Sequence, residues 1–297
     1  MSFQSLGRRA RRSARRTGTS CASLAAAGLL TACATAPLEQ AGSLRSYENL
    51  KASDGVATRS LLNLNKDDVL AARTIKIIPT EFSAAAAQVP FTAVQRRLVT
   101  NAVDRSLCAG LSHRFEIVQS SQPADLTIQA VITHVAPTDK AAVGLSKGAS
   151  IAKTIFLPGV PVPVPRIPIG LGSLSLEAEA RSHDGEQKAA MVWGRGASAL
   201  FGSARMSEEG DAYTLAAAFG EDFSKMLVTG KTPFGGSPTL PPIESLGPLF
   251  GGAHKYPACE AFGRFPGLVG VLGDQLALPP EWTDKGAPAR DETRTGL

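Results

Sequence analysis

Two stretches of strict alternation constrain the fold of this 297-residue chain more than any other feature. Across 126–133, Leu126, Ile128, Ala130 and Ile132 share one face while Thr127, Gln129, Val131 and Thr133 share the other. Across 174–181, Leu174, Leu176, Ala178 and Ala180 alternate with Ser175, Glu177, Glu179 and Arg181. Strand side chains point to opposite faces with a period of two, so each run predicts a strand with one dry side. The second run leads into His183-Asp184-Gly185-Glu186. Asp-Gly is a strong hairpin signal because both turn positions favour positive φ, so 187–193 is expected to return as the partner strand.

Other elements attach to this frame. Thr74-Ile75-Lys76-Ile77-Ile78, bounded by Pro79, reads as a first strand. Thr92-Ala93-Val94-Gln95 matches a capping box, and Phe91, Val94, Leu98, Ala102 and Leu107 fall close to one helical face, with Gly110 as a stop. The segment 115–118 reads as a second strand. Asp211 is placed as the cap of a second helix, whose Leu215, Phe219, Phe223 and Met226 form an apolar stripe ended by Gly230 and Pro233. The predicted fold class is therefore α+β: a mainly antiparallel sheet with two helices on one face, in the order β-α-β-β-β-β-α. Glu177 and Glu179, on the polar side of their strand, read as solvated-face residues.

The connection from 139 to 172 is unusual. It opens with small residues and then runs through Pro158, Pro161, Pro163, Pro165 and Pro168 with apolar residues between. Proline spacing of this kind pre-orders an extended chain with few backbone donors. A long apolar loop either serves a partner or folds back over its own sheet. The partner reading makes Ile155, Phe156, Val160, Val162, Val164 and Ile167 the contact residues.

The amino terminus fixes a location. An Arg-rich start is followed by an apolar stretch too short to span a bilayer, ending in Leu30-Thr31-Ala32-Cys33, the pattern a lipoprotein signal peptidase reads before a cysteine. Cys33 is thus the expected lipidation site, its acyl chains (palmitate among them) acting as a membrane tether. The small residues also fit an ordinary secretory cut, and the Arg pairs suggest twin-arginine export, although Thr17-Gly18-Thr19 follows them. Ala34, not Asp, resembles the outer-membrane sorting class. Residues 1–32 hold six Arg and no acid, so removing them changes the formal charge from +5 to −1. The basic balance belongs to export and gives no reason to expect nucleic acid. The expected organisation is 1–32 signal peptide, 33–71 flexible tether with Tyr47, Leu50 and Leu61-Leu62 as residues that could dock onto the domain, 72–230 domain with the 139–172 insertion, and 231–297 a Pro/Gly-rich extension, wrapped on the domain or partly disordered.

Catalytic signals are weak. Gly144-Leu145-Ser146-Lys147-Gly148 matches the serine-hydrolase elbow, and Ser146, Asp211 and His254 even have the right chain order, yet no buried strand precedes the motif. Gly230-Lys231-Thr232 and Gly194-Arg195-Gly196 only graze phosphate-loop and dinucleotide patterns. His113, His134, His183 and His254 have no metal-ligand spacing, so neither metal nor cofactor is expected. Cys108 and Cys259 either pair in an oxidising compartment or, for Cys108, read as a buried helix residue.

The lipobox, Tyr47-Glu48-Asn49-Leu50, the helix at 94–111, the small-residue stretch after the third strand, and 173–181 joined through Asp184-Gly185 to Trp193 together resemble a family of proteobacterial lipoproteins, domain-of-unknown-function family 3313, over about 47–228. The proline-rich stretch and the long tail depart from it, and the family brings no catalytic residues. The element order is also similar to the sandwich of the TolB amino-terminal domain and the curli-secretion lipoprotein. The expected function is a non-enzymatic, lipid-anchored outer-membrane lipoprotein facing the periplasm, a binding or assembly module for an envelope protein or polymer. The alternatives are a serine hydrolase using Ser146 and a carrier of a hydrophobic small molecule in the groove beside the helices.

Overall fold

The computed structural model describes residues 36–141, 143, 170–198, 205–235 and 251–287. Its elements are β1 (Lys51–Ala52), β2 (Thr58–Leu64), α1 (Lys66–Ala71), β3 (Thr74–Ile77), β4 (Glu81–Phe82), α2 (Ala93–Leu111), β5 (Glu116–Val118), β6 (Leu126–Ala136), β7 (Ser173–Ser182), β8 (Gln187–Gly196), α3 (Gly210–Thr229), α4 (Gly267–Leu276) and α5 (Pro280–Thr283), with 3-10 turns at Ala86–Gln88 and Pro257–Phe262. The fold class is α+β. The expected order is present as β3-α2-β5-β6-β7-β8-α3, with β1, β2, α1 and β4 added to it.

The sheet runs β1-β2-β8-β7-β6-β3-β5, with β4 beside β6. The four pairings from β1 to β6 are antiparallel. β3 lies parallel to both β5 and β6, and β4 parallel to β6. The parallel pair β3/β5 follows from α2, which carries the chain back to the starting end as a crossover helix must. The β7–β8 hairpin closes through Asp184-Gly185, with Gly185 at φ +83°.

One face of the sheet packs on α2 and α3. Leu126, Ile128, Ala130 and Ile132 of β6, the alternate Leu174, Leu176, Ala178 and Ala180 of β7, and Ala189, Met191 and Trp193 of β8 all point into this core. Trp193 meets Phe219 edge-on and donates Nε1–H to Asp222 at 2.9 Å, so the indole is buried without an orphaned donor. The α2 capping box forms as expected. Gly110 is not a stop but a contact point. The helix continues to Leu111, a Cβ at Gly110 would collide with the Ser224 side chain, and one at Gly220 would lie 2.5 Å from Ser106 Cβ. These two glycines let α2 and α3 cross closely. Gly230 does end α3, at φ +64°.

Two expectations need correction. The part of 33–71 that is described is no free tether: β2 pairs with β8, β1 with β2, and residues 37–47 lie across the other face of the sheet. The segment lacks hydrophobic period because much of its hold on the sheet is polar, through the amides of Ala41, Ser43 and Arg45, the hydroxyls of Ser43 and Tyr47 and the Pro37 carbonyl. Asp211 is not the cap of α3. Glu209 occupies that position without a side-chain cap, and Asp211 sits in the first turn. In the tail, the described residues 251–287 are folded against α2 and α3, covalently through Cys108–Cys259.

Candidate functional site

The proline-rich insertion leaves the sheet where β6 ends and returns where β7 begins. Asp139 donates its amide to the Gly170 carbonyl at 2.8 Å, which closes a narrow neck. Gly170 has φ +68°, and a Cβ there would strike Asp139, so the return needs glycine. The neck is bolted to α3. Thr138 N–H donates to the Glu208 carbonyl (2.8 Å), Thr138 Oγ1 accepts from Asp211 N (3.0 Å), and Asp211 Oδ2 accepts from Gly172 N (2.8 Å). Lys140 pairs with Glu208 at 2.9 Å, and that bond raises the lysine pKa. Beside them Glu209 is fully buried and, among the described residues, neither of its carboxylate oxygens has a hydrogen-bond partner; burial pushes its carboxyl above the usual range. The expected contact residues Ile155, Phe156, Val160, Val162, Val164 and Ile167, the elbow serine Ser146 and the lipidation site Cys33 lie outside the described residues.

The amino-terminal strap begins at this same end. The Pro37 carbonyl accepts from Ser175 Oγ (2.5 Å), near the start of β7, and Glu39 meets His134 at 3.2 Å. Farther along β7, Glu177 accepts from Ala41 N (2.9 Å), Ser43 N (3.2 Å), Ser43 Oγ and, at 2.8 Å to each oxygen, Tyr47 OH. Gly42, at φ +77°, lets the amides on either side of it turn toward one carboxylate, a short anion nest. Glu179 accepts from Arg45 N (2.8 Å) and Gln187 Nε2 (2.8 Å) and pairs with Arg181 Nε (3.1 Å). Burial, and then its bond to Glu177, raise the Tyr47 phenol pKa. Leu38, Leu44, Tyr47, Leu50 and Leu61 pack with Ala190 and Val192 over this face. The solvated reading of Glu177 and Glu179 is therefore overturned: they are 0% and 2% exposed, the fasteners of the strap. One sequence signal for a covered second face existed, the unbroken apolar run Ala189-Ala190-Met191-Val192-Trp193.

The carboxy-terminal segment is held by a buried ionic cluster. Asp284 bonds Arg105 Nη1 (2.9 Å), Arg105 Nη2 and Tyr213 OH (2.7 Å). Burial alone would raise the Asp284 pKa, but the bond and charge of Arg105 outweigh it and hold the carboxyl low. Arg205, just ahead of α3, reaches Asp274 of α4 (2.7 Å) and Thr283 of α5 (3.0 Å). His254 is engaged with the Gly263 carbonyl (2.8 Å), and Asp211 with the insertion neck. A cavity of about 550 Å³ opens beyond the carboxyl ends of β3 and β5, walled by Ile77, Pro79, Ile117, Pro257, Ala261 and Phe262. Among the described residues no group of three His, Cys, Asp or Glu could hold a metal ion, and no helix is long and apolar enough to cross a membrane.

Fold and site define an α+β domain with one face under its helices, the other under its own amino-terminal strap, and the two stems of its insertion joined at one end of the sheet. The family model described as "Protein of unknown function (DUF3313)" matches residues 39–223, and the chain belongs to that family. No curated protein matches it. Among solved structures it is similar to PelC dodecamers from Paraburkholderia phytofirmans, one of them a point variant. These are 10% identical, with 61% of this chain and 96% of theirs covered, at TM-scores of 0.32 and 0.31.

Proposed function

We propose that this chain is a non-enzymatic, lipid-anchored outer-membrane lipoprotein that presents its domain in the periplasm as a binding or assembly module. The strap carries this reading. Only Ala34 and Thr35 separate Cys33 from the first described residue, so an acyl-bearing Cys33 lies within roughly 10 Å of chain from a segment fastened to the sheet. An anchor so short gives the domain a restricted attitude to the bilayer, which suits a module that meets a partner at a set height. The hydrogen-bonded neck supports the insertion as the contact, through Ile155, Phe156, Val160, Val162, Val164 and Ile167, with an envelope protein or polymer. The sandwich of the TolB amino-terminal domain belongs to this proposal as well, supported by the strand and helix order alone.

Radiolabelled palmitate should enter the protein and fail to enter Cys33→Ser; equal labelling of both would defeat the anchor. Whole-cell crosslinking of the intact chain against a version lacking 141–169 tests the contact. A defined envelope protein captured only by the intact chain supports it, and identical capture removes the insertion from the interface. A second reading, a carrier of a small molecule with an apolar body, is favoured by the cavity beyond β3 and β5, where Ile77, Ile117 and Phe262 share the lining with Gln119, Ser120 and Ser121. Mass spectrometry of solvent-extracted protein decides it, since a carrier releases a stoichiometric ligand.

A further inference from the structure

Helix α4 is built inside out. Gly267, Gly270 and Gly273 are its buried residues, whereas Leu268, Val269, Val271, Leu272 and Leu276 are all exposed, Leu268 by 66% and Leu276 by 64%. The glycines are required where they lie: a Cβ at Gly270 would sit 2.6 Å from Pro266 Cγ, and one at Gly273 2.5 Å from Thr283 Cγ2. The only charged residue of the helix, Asp274, is bonded to Arg205, so the outward face is apolar with Gln275 as its one polar member. Trp282, on the adjoining α5, is 72% exposed. Lys285 and Arg264, the latter paired with Glu260 at 2.9 Å, are exposed at the two ends of this segment, and Glu281 is exposed beside Trp282. Small residues toward the protein and large apolar ones outward, with Trp and basic residues at the margins, is the arrangement of a helix lying in a bilayer interface.

The position of the anchor says which surface covers this face. The strap enters at Pro37 beside Ser175, near the start of β7; Gly172, just ahead of β7, is bonded to the first turn of α3; and the residues preceding α3 hold the last turn of α4, through Met206 N to the Ala277 carbonyl (2.9 Å) and Arg205 to Asp274. The last turn of α4, on the helical side, and the emergence of the chain toward Cys33, on the strap side, thus share one end of the sheet, with two residues between Cys33 and the described strap. We infer that the outer face of α4, with Trp282, docks on the phospholipid surface that receives the Cys33 acyl chains, so that the domain lies down on the membrane rather than hanging from it. This rests on the anchor proposed above.

The mature protein, purified from membranes of expressing cells, is first examined by mass spectrometry for acyl chains on Cys33. It is then reconstituted in phosphatidylethanolamine/phosphatidylglycerol vesicles with or without brominated acyl chains. Trp193 is fully buried, so Trp282 is the quenchable fluorophore, and W282F verifies this. Docking predicts quenching of Trp282 by brominated lipid and its loss in Leu268→Ser/Leu272→Ser, a variant of exposed positions whose fold is checked by the near-ultraviolet signal of Trp193. An acylated protein whose Trp282 is not quenched overturns the docking and leaves the anchor standing. Quenching that survives the double variant also overturns it, as does concentration-dependent crosslinking between copies at Leu272 without quenching, which gives the face to a second copy. An unacylated Cys33 removes the anchor and the docking together.

Discussion

Glu177 is a carboxylate at zero exposure whose donors are two backbone amides, a serine hydroxyl and a phenol, with no cation among them. Removing it orphans several donors at once, and each buried unsatisfied group costs about 1–3 kcal/mol. Glu177→Ala is expected to lose roughly 2–4 kcal/mol, with amide exchange rising across 41–47 while α2 and α3 stay protected. Uniform exchange across the molecule would show that the strap is not a separable layer. Glu209 carries the opposite sign, since it is buried without partners and its pKa is raised. The folded state then holds the proton more readily than the unfolded one, so stability falls as pH rises through that elevated value. Glu209→Gln, which imitates the protonated acid, is expected to raise stability at pH 7 by about 1–2 kcal/mol. The gain should vanish in acid, where both proteins are neutral at that position; melting curves at pH 4 and pH 7 test it.

At the scale of elements, the disulfide adds a covalent tie to the packing of Tyr256, Ala258 and Phe262 on the core. Cys108 of α2 and Cys259 of the 3-10 turn at Pro257–Phe262 stand 151 residues apart, and closing a loop of that length removes about 4–5 kcal/mol of unfolded-state freedom on the chain-entropy account. Cys108→Ser/Cys259→Ser is expected to lower unfolding stability by up to about that amount, read by chemical denaturation, and, unlike the wild type, to be indifferent to reductant. The helices and strands of the central frame were legible because their signals are local: alternation at 126–132 and 174–180, the Asp184-Gly185 turn, the Thr92–Gln95 box and the Gly230 stop. The strap was legible only in part: Tyr47, Leu50 and Leu61 read as docking residues and do pack on the sheet, whereas the amides of Ala41, Ser43 and Arg45 carry no sequence signal and their acceptors, Glu177 and Glu179, look like surface residues until something covers them. Gly110 misled for a related reason: a glycine near a helix end signals a stop, and only the neighbouring helix shows that it serves a crossing. The insertion residues named as contacts stay a matter of sequence.

For the whole molecule, the buried Arg105–Asp284 pair fastens the carboxy-terminal segment to the helical layer, and breaking one side of such a pair typically costs about 3–5 kcal/mol. The Asp284 pKa is held below its ordinary value, so its contribution is complete above about pH 4 and lost as pH falls through the folded value. Acid titration should therefore loosen 264–287, the part beyond the Cys259 disulfide, from α2 before the sheet melts; Asp284→Asn should loosen the same segment at neutral pH, with limited proteolysis as the readout. A sheet that survives less well than the tail would contradict this. The neck of the insertion has a consequence for how the protein can change over generations. Because Asp139 and Gly170 are already hydrogen-bonded to each other and Thr138, Gly172 and Asp211 lock the stems, everything between those two residues is topologically a cartridge. Exchange of 144–169 for a short turn, or for another recognition segment, is expected to leave the neck and its bonds to α3 in place, since none of those hydrogen bonds uses a residue from that stretch.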